Sequence, residues 1–320
     1  MKNRDSSTKC AVVLAAGYGE RFKPLTEFIA KPAIPFLNKP MICWIFDQLI
    51  SYGIEKVFVN LHHLPNTVKR VLKSYQKKID IFFSFEEKIL GTYGLFSKFK
   101  DRLSEKFFVI NSDIFLNLPF KEMDENFNQD HHALLLLKKR KKNEIYTPFS
   151  IKENEVTQIG EGDFHFCGFY IARKDFVENA QKERKLELLK ILKEKAKRKL
   201  IGAFVYNKEW LDLGTPSQYL KSTKICLKKI VQRKMELSKN ERLFFRNGFP
   251  LLIEQNAQIS PETKIKGFVV MGKESKLFGE NFVKDVVLLP NSSFHLKKNL
   301  EKAIVFKNKF LYLKMDKNRN

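Results

Sequence analysis

Arg21 and Lys31 stand ten residues apart in the stretch CAVVLAAGYGERFKPLTEFIAKP, Cys10 to Pro32. Between the apolar run before them and the two cations lie Gly17 and Gly19, which let a backbone turn sharply with its N–H groups exposed. Exposed N–H groups bind anions, and two fixed positive charges beside them suit a phosphate-bearing ligand. The spacing is not the dinucleotide fingerprint GxGxxG, because Phe22 takes the place of the third glycine, nor does it end in the GK[ST] of a P-loop. Pro24, Pro32 and Pro35 are expected to hold the segment extended rather than helical. Taken alone, the same residues also read as a tight turn with a solvated basic flank.

The elements that position this loop are strands and helices in alternation. Ala11 to Ala15 reads as a buried strand, 40–52 as a helix stopped by Gly53, and EKVFVNL (Glu55 to Leu61) as the next strand. A second round follows: a helix capped near Asn66 and running to Leu72, a strand around 79–85, a helix after Gly94, and the strand KFFVIN ending at Asn111-Ser112-Asp113. Such alternation predicts a parallel sheet covered by helices with ligands at the carboxyl ends of its strands, and the fold class expected for the whole is α/β with a Rossmann-like mixed, mostly parallel sheet. Further along, ALLLLKK, FHFCGFYIA and LIGAFVY are strands. An amphipathic helix is expected over 178–199, with Leu186, Leu189, Leu192 and Ala196 on one face. Thr215 then caps a helix that starts at Pro216 and runs to about residue 239.

Composition narrows the function classes. The charge of +23, from 59 basic and 36 acidic residues, fits nucleic acid, an anionic membrane or small polyanions equally. The lysines are spread along the whole chain, with no stripe interleaved with aromatics and no nucleic-acid-binding signature, so nucleic acid is not expected as a partner. No apolar run approaches the roughly 18 residues of a membrane span, and none reads as a signal peptide. Four scattered cysteines give neither a zinc site nor a disulfide framework and fit a cytoplasmic protein. The pairs His62-His63 and His131-His132 read as structural or solvent-facing, because neighbours on a strand point to opposite faces.

The tail changes period. Ile253, Ile259, Ile265, Met271, Leu277, Val283 and Leu289 recur every six residues, and four places after each come Ala257, Thr263, Val269, Ser275, Asn281, Val287 and Ser293. Hexads of this kind mark a parallel β-helix. A unit this short has an open end that calls for a cap or a partner, and a homo-oligomer through the β-helix is expected. The domains expected are 1–240 and 241–320.

LAAGYGERFKPLT, AKPAIPF followed by Pro40, LGTYG, VINSD and WLDLGTPSQYL together resemble the ordered motifs of the sugar-1-phosphate nucleotidyltransferases, over residues 10 to about 225. Several members of that family, including many mannose-1-phosphate guanylyltransferases, carry a C-terminal left-handed β-helix, which the hexad tail resembles. VNLHHLP and FHFCGFY look closer to a subgroup containing the N-acetylmuramate-1-phosphate uridylyltransferases. The resemblance implies an enzyme, with a nucleoside triphosphate and a sugar 1-phosphate as substrates and Mg²⁺ as cofactor. Arg21 and Lys31 would be catalytic. Ala15, Ala16, Gly17, Gly19, Glu86, Gly91 and Thr92 would contact the nucleotide, and Asn111, Gly168 and Trp210 the sugar. Asp113 and Asp212 would hold the metal. GTP with mannose 1-phosphate is the pair expected; UTP or another triphosphate with a different sugar phosphate, or a non-catalytic regulatory subunit, is the alternative.

The chain departs from the family pattern in two segments. Many relatives carry an FxEKP stretch whose lysine meets the sugar phosphate, and here VTQIGEGDF puts Gly162 in that place. Tyr93 and Leu95 are also bulkier than the small residues usual there.

Overall fold

The computed structural model describes residues 8–141, 144–178, 180 and 185–312, and the chain divides into two compact units. One unit takes the residues through Tyr18 and then Ile42–Trp210; the other takes Gly19–Met41 and the residues from Leu211 onward. The boundary expected at 240/241 falls inside the second of these.

The first unit is built on a nine-stranded sheet. Its strands are β1 (Cys10–Leu14), β2 (Lys56–Leu61), β3 (Asp80–Phe85), β4 (Lys106–Asn111), β5 (Ala133–Lys139), β6 (Pro148–Lys152), β7 (Glu155–Ile159), β8 (Phe164–Arg173) and β9 (Ile201–Val205). They lie in the order β3-β2-β1-β4-β8-β5-β9-β7-β6. The first four are parallel, with Ala11 of β1 opposite Val57 of β2 and Phe108 of β4. Beyond β4 only β5 and β9 pair in parallel, and the other pairings are antiparallel. The sheet is therefore mixed, but not mostly parallel as expected. One of the antiparallel pairings follows from a short turn: Glu153 and Asn154, both at positive φ, join β6 to β7 as a two-residue hairpin, and a hairpin pairs antiparallel.

β1 and β4 are apolar without alternation because both faces are covered; Val12, Val13, Phe107, Phe108, Val109 and Ile110 are fully buried. Around them run α1 (Met41–Tyr52) and α2 (Pro65–Leu72). Pro65 opens α2 after Leu64, whose φ is 47°, so Asn66 is not the cap. The helix expected after Gly94 shrinks to the turn Gly91–Gly94 and a 3₁₀ turn, Leu95–Lys98. The amphipathic helix is α3 (Leu188–Ala196); of the span expected for it, 179 and 181–184 lie outside the described residues. Its buried face is Leu188, Ile191, Leu192, Lys195 and Ala196, while Leu189 is 40% exposed. No described helix is long and apolar enough to cross a membrane.

In the second unit, 19–41 forms three single 3₁₀ turns, Glu20–Phe22, Leu25–Glu27 and Lys31–Ala33, rather than an extended run. Proline permits this, since it fits the first position of a helical turn as well as the stretch between turns. α4 (Pro216–Val231) is capped as expected: the Gln218 N–H donates to Thr215 Oγ1 at 3.2 Å. Fully buried Tyr219 of α4 meets Phe22 and Phe36 edge-on, with ring centroids 6.1 and 5.4 Å away, and its hydroxyl donates to the Pro35 carbonyl at 2.5 Å.

The tail starts with a hairpin of β10 (Glu241–Arg246) and β11 (Phe249–Glu254), then continues with β12 (Gln258–Ile259), β13 (Lys264–Ile265), β14 (Val269–Met271), β15 (Lys276–Phe278), β16 (Phe282–Leu288), β17 (Ser293–His295) and β18 (Leu300–Phe306). From β11 to β18 the pairings are parallel. Leu251 faces Val269, Gln258 faces Lys276 and Lys264 faces Phe282, each pair 18 apart. Val269 then faces Val286, Lys276 faces Ser293 and Val283 faces Leu300, each 17 apart. One residue has dropped from the six-residue period near Asp285, which takes φ 54° and lies against Gly267. Ile265, Met271, Leu277 and Val283 line the interior as expected, but Leu288 takes the next place and Leu289 is buried outside that cluster. Ser292, fully buried, likewise replaces exposed Ser293. Phe28 rests its ring 6.0 Å from that of Phe306, with Lys307 Nζ 5.6 Å above it.

Candidate functional site

In the first unit, the carboxyl ends of the parallel strands are tied by one hydrogen-bond chain. The Ala15 N–H donates to Asn60 Oδ1, Asn60 Nδ2 donates to Glu86 Oε1, and the Leu90 N–H donates to Glu86 Oε2, each at 2.8 Å. Glu86 is only 1% exposed, so its carboxylate braces the loop after β3. Asn60 was hidden inside a strand motif, EKVFVNL. Ala16 is buried beside Ala15.

Gly17 is exposed, its φ is ordinary, and a Cβ added to it would meet nothing within 4 Å. Neither backbone conformation nor packing calls for glycine there. A glycine that its own fold does not require suits a backbone that a ligand approaches closely.

Asn111 and Gly168 come together within this unit. Gly168, at φ +79°, sits where β8 slips its register against β5, and a Cβ on it would lie 2.9 Å from Asn111 Nδ2. Trp210 Nε1 donates to the Cys167 carbonyl at 2.9 Å and so pins the residue before Gly168. Behind it His165 stacks on Tyr146, with ring centroids 4.7 Å apart, and lies 4.7 Å from the Trp210 ring. Burial holds the His165 imidazole below its ordinary pKa. Asp113 follows β4 in a half-buried turn, which the Ser112 N–H ties to the Leu14 carbonyl at 3.3 Å.

In the second unit three expected residues converge on one glycine, Gly214, which sequence alone marks only as a turn residue. Lys31 Nζ donates to the Gly214 carbonyl at 3.2 Å, and the Gly214 N–H donates to Asp212 Oδ1 at 2.5 Å. A Cβ on Gly214 would lie 2.6 Å from Asp212 Oδ1 and 3.4 Å from Arg21 Nη2. Lys31 is 8% exposed, with its ammonium 5.5 Å above the ring of Phe22. Phe22 thus anchors the loop where the dinucleotide fingerprint has glycine. Gln218 Nε2 donates to Asp212 Oδ2 at 2.7 Å, which fixes the carboxylate in plane. Gly19, at φ +67°, would clash with Thr26 Cγ2 at 2.8 Å if it carried a Cβ. Asp113 and Asp212 belong to different units. Each carboxylate is a hard oxygen donor of the kind Mg²⁺ takes, and that of Asp212 is held by two fixed donors, the Gly214 N–H and the Gln218 side-chain amide.

Gly91 and Thr92 are stitched to the start of α3. The Thr92 hydroxyl donates to Glu187 Oε2 at 3.2 Å and accepts from the Leu188 N–H at 3.0 Å, while a Cβ on Gly91 would lie 2.6 Å from the Leu186 carbonyl oxygen. Tyr93 is fully buried and donates to the Phe176 carbonyl at 2.6 Å. Gly162, at φ +119°, packs so closely that a Cβ would lie 2.3 Å from the Phe149 carbonyl oxygen, and no lysine fits that backbone. Of the histidines, His132 Nδ1 meets Lys195 Nζ at 2.9 Å and His131 Nε2 lies 3.7 Å from Glu155. His62 and His63 both contact the ring of Tyr18, because β2 ends at Leu61 and strand alternation stops there.

The family model described as "Nucleotidyl transferase" matches residues 10–229. The chain is 28% identical over 271 residues to the mannose-1-phosphate guanyltransferase of Aspergillus oryzae, covering 80% of this chain and 72% of that one. The mannose-1-phosphate guanyltransferase of Candida albicans is 28% identical over 267 residues, covering 78% and 72%. Among solved structures, a putative glucose-1-phosphate thymidylyltransferase from Bacillus anthracis superposes with a TM-score of 0.62 at 21% identity, covering 72% of this chain and 97% of that one. A UDP-glucose pyrophosphorylase complexed with UDP-glucose gives 0.60 at 21% identity, covering 69% and 99%. These two show the same fold. The chain belongs to the nucleotidyl transferase family, among its sugar-1-phosphate nucleotidyltransferases.

Proposed function

We propose that the protein joins GTP and mannose 1-phosphate into GDP-mannose and pyrophosphate. An oxygen of the sugar phosphate attacks the α-phosphorus of the triphosphate, the bond from that phosphorus to the β-phosphate oxygen breaks, and pyrophosphate leaves with its charge. No covalent enzyme intermediate and no proton transfer are required. Rate enhancement comes from alignment and from neutralising charge.

The observation that supports this reading best is the convergence of Arg21, Lys31 and Asp212 on Gly214. Lys31, held by the Gly214 carbonyl and backed by Phe22, offers an oriented ammonium to an α-phosphate or incoming sugar phosphate. Arg21 neutralises the leaving pyrophosphate. Ala15, Ala16, Gly17 and Gly19 form the backbone cradle of the nucleotide, with Glu86, Gly91 and Thr92 shaping its rim. Asn111, Gly168 and Trp210 shape the sugar pocket. Asp113 and Asp212 would hold Mg²⁺, which would supply charge neutralisation to the reacting phosphates.

The choice of GTP and mannose rests on the relatives near 28% identity. The parallel coils at 18 and 17 residues support reading the tail as a left-handed β-helix, and a homo-oligomer through it belongs to the same proposal. A cytoplasmic setting is supported by the four cysteines, all buried free thiols.

The test is pyrophosphate release with Mg²⁺, crossing GTP, UTP, ATP, CTP and dTTP against the 1-phosphates of mannose, glucose, N-acetylglucosamine, N-acetylmuramate and a heptose. Release is expected to depend on both substrates and to be fastest for GTP with mannose 1-phosphate. A folded protein that binds a triphosphate yet releases nothing from any pair would be a regulatory subunit instead.

A further inference from the structure

Tyr18 lies between the two glycines of the turn and is 47% exposed. The ring is not loose. Its hydroxyl is 2.9 Å from His62 Nε2, and His62 Nδ1 is 2.6 Å from the main-chain carbonyl oxygen of Glu86. A carbonyl oxygen only accepts, so Nδ1 carries the proton. In the neutral imidazole Nε2 is then the acceptor, and the tyrosine hydroxyl donates to it.

His62 also meets the Tyr18 ring edge-on, with centroids 4.9 Å apart, and His63 lies 5.8 Å away. Two imidazoles and a hydrogen bond to a main-chain-anchored histidine thus fix the ring beside Gly17, whose missing Cβ faces open space. An exposed ring already fixed loses little freedom when a flat ligand stacks on it. Its place, after a central parallel strand at the carboxyl end of the sheet, is where open α/β sheets take their ligands.

We propose that Tyr18 is a specificity-determining residue that stacks on the nucleobase, with His62 as the residue that positions its ring. This rests on the functional reading above. A purine offers a stacked ring more area than a pyrimidine does, so the pair favours purine triphosphates over UTP and CTP.

The test is equilibrium binding to the full chain, by calorimetry with Mg²⁺, of GTP, UTP and ribose 5-triphosphate, which lacks a base. Tyr18→Ala is expected to weaken GTP roughly tenfold, UTP by less, and the base-free triphosphate not at all. Tyr18→Phe should keep most of the GTP affinity because the ring stays. His62→Gln should fall between the two for GTP and leave the base-free ligand unchanged. Unchanged GTP affinity in Tyr18→Ala would overturn the inference, and so would an equal loss for GTP and the base-free ligand, the mark of a merely structural role. A wild-type chain that binds no triphosphate would overturn the functional reading and this inference with it.

Discussion

The ammonium of Lys31 donates to the carbonyl oxygen of Gly214 at 3.2 Å, across 183 residues of sequence. With one direction fixed by that bond and the ring of Phe22 beneath it, the charge is oriented before substrate arrives. Such preorganisation is what an electrostatic catalyst needs. Lys31→Met should lower kcat/KM by about 10²–10³, the range for removing one preorganised donor, with little change in melting temperature. Pyrophosphate-release kinetics beside thermal unfolding check this, and a stability loss with unchanged turnover would make Lys31 a packing residue.

Asp113→Asn and Asp212→Asn each remove a charge without changing shape. Either should leave the fold intact, nearly abolish turnover, and raise the Mg²⁺ concentration needed for half-maximal rate. Circular dichroism and a metal titration separate the two effects. Near-normal rates in one variant would remove that carboxylate from the metal set.

Gly17 and Gly19 sit two residues apart yet answer to different constraints. Gly19→Ala places a Cβ at positive φ against Thr26 and should cost about 1–2 kcal/mol of stability. Gly17→Ala meets no neighbour within 4 Å, so it should melt like the parent while weakening nucleotide binding. Melting curves and binding isotherms of the two variants should therefore change in opposite columns. Equal nucleotide affinity in Gly17→Ala would mean that no ligand approaches that backbone.

Acid stability should depend on Asp124. Burial alone would raise its carboxyl pKa, but hydrogen bonds from Lys106 and from the backbone and hydroxyl of Thr8 outweigh it and hold the group below its ordinary value. A carboxyl depressed in the folded state contributes stability that is full above its unfolded pKa and is lost as pH falls through the folded value. Lys106→Met should therefore destabilise the parent fold at pH 7, with the difference shrinking toward pH 3. Urea midpoints measured at several pH values give the sign directly, and a pH-independent difference would rule the pair out.

Much of the first unit was legible because its signals are local. β1, β2 and β4 are apolar runs closed by glycine or polar residues, and Thr215-Pro216 marks a helix start by residue type alone. What escaped depends on contacts between distant segments. Asn60 reads as an ordinary strand residue until the Ala15 N–H, 45 positions away, donates to it. Gly214 looks like a turn residue until Lys31, Asp212 and Arg21 gather on it. The helix expected over 178–199 is longer than α3 because charged residues flank it in helix-favouring runs, and although Leu192 and Ala196 face inward as expected, only packing shows that Leu188 rather than Leu189 does. The hexad series from Ile253 failed at Leu289 for a related reason, since a fixed interval has no room for one residue removed at a left-handed position.

The ring contact between Phe28 and Phe306 has a consequence for modularity. The loop that carries both Arg21 and Lys31 leans on a strand near the far end of the chain, so the tail is not an interchangeable attachment. A chimera that takes its tail from a relative must carry a matching partner for position 28, and the two positions should be inherited or exchanged together.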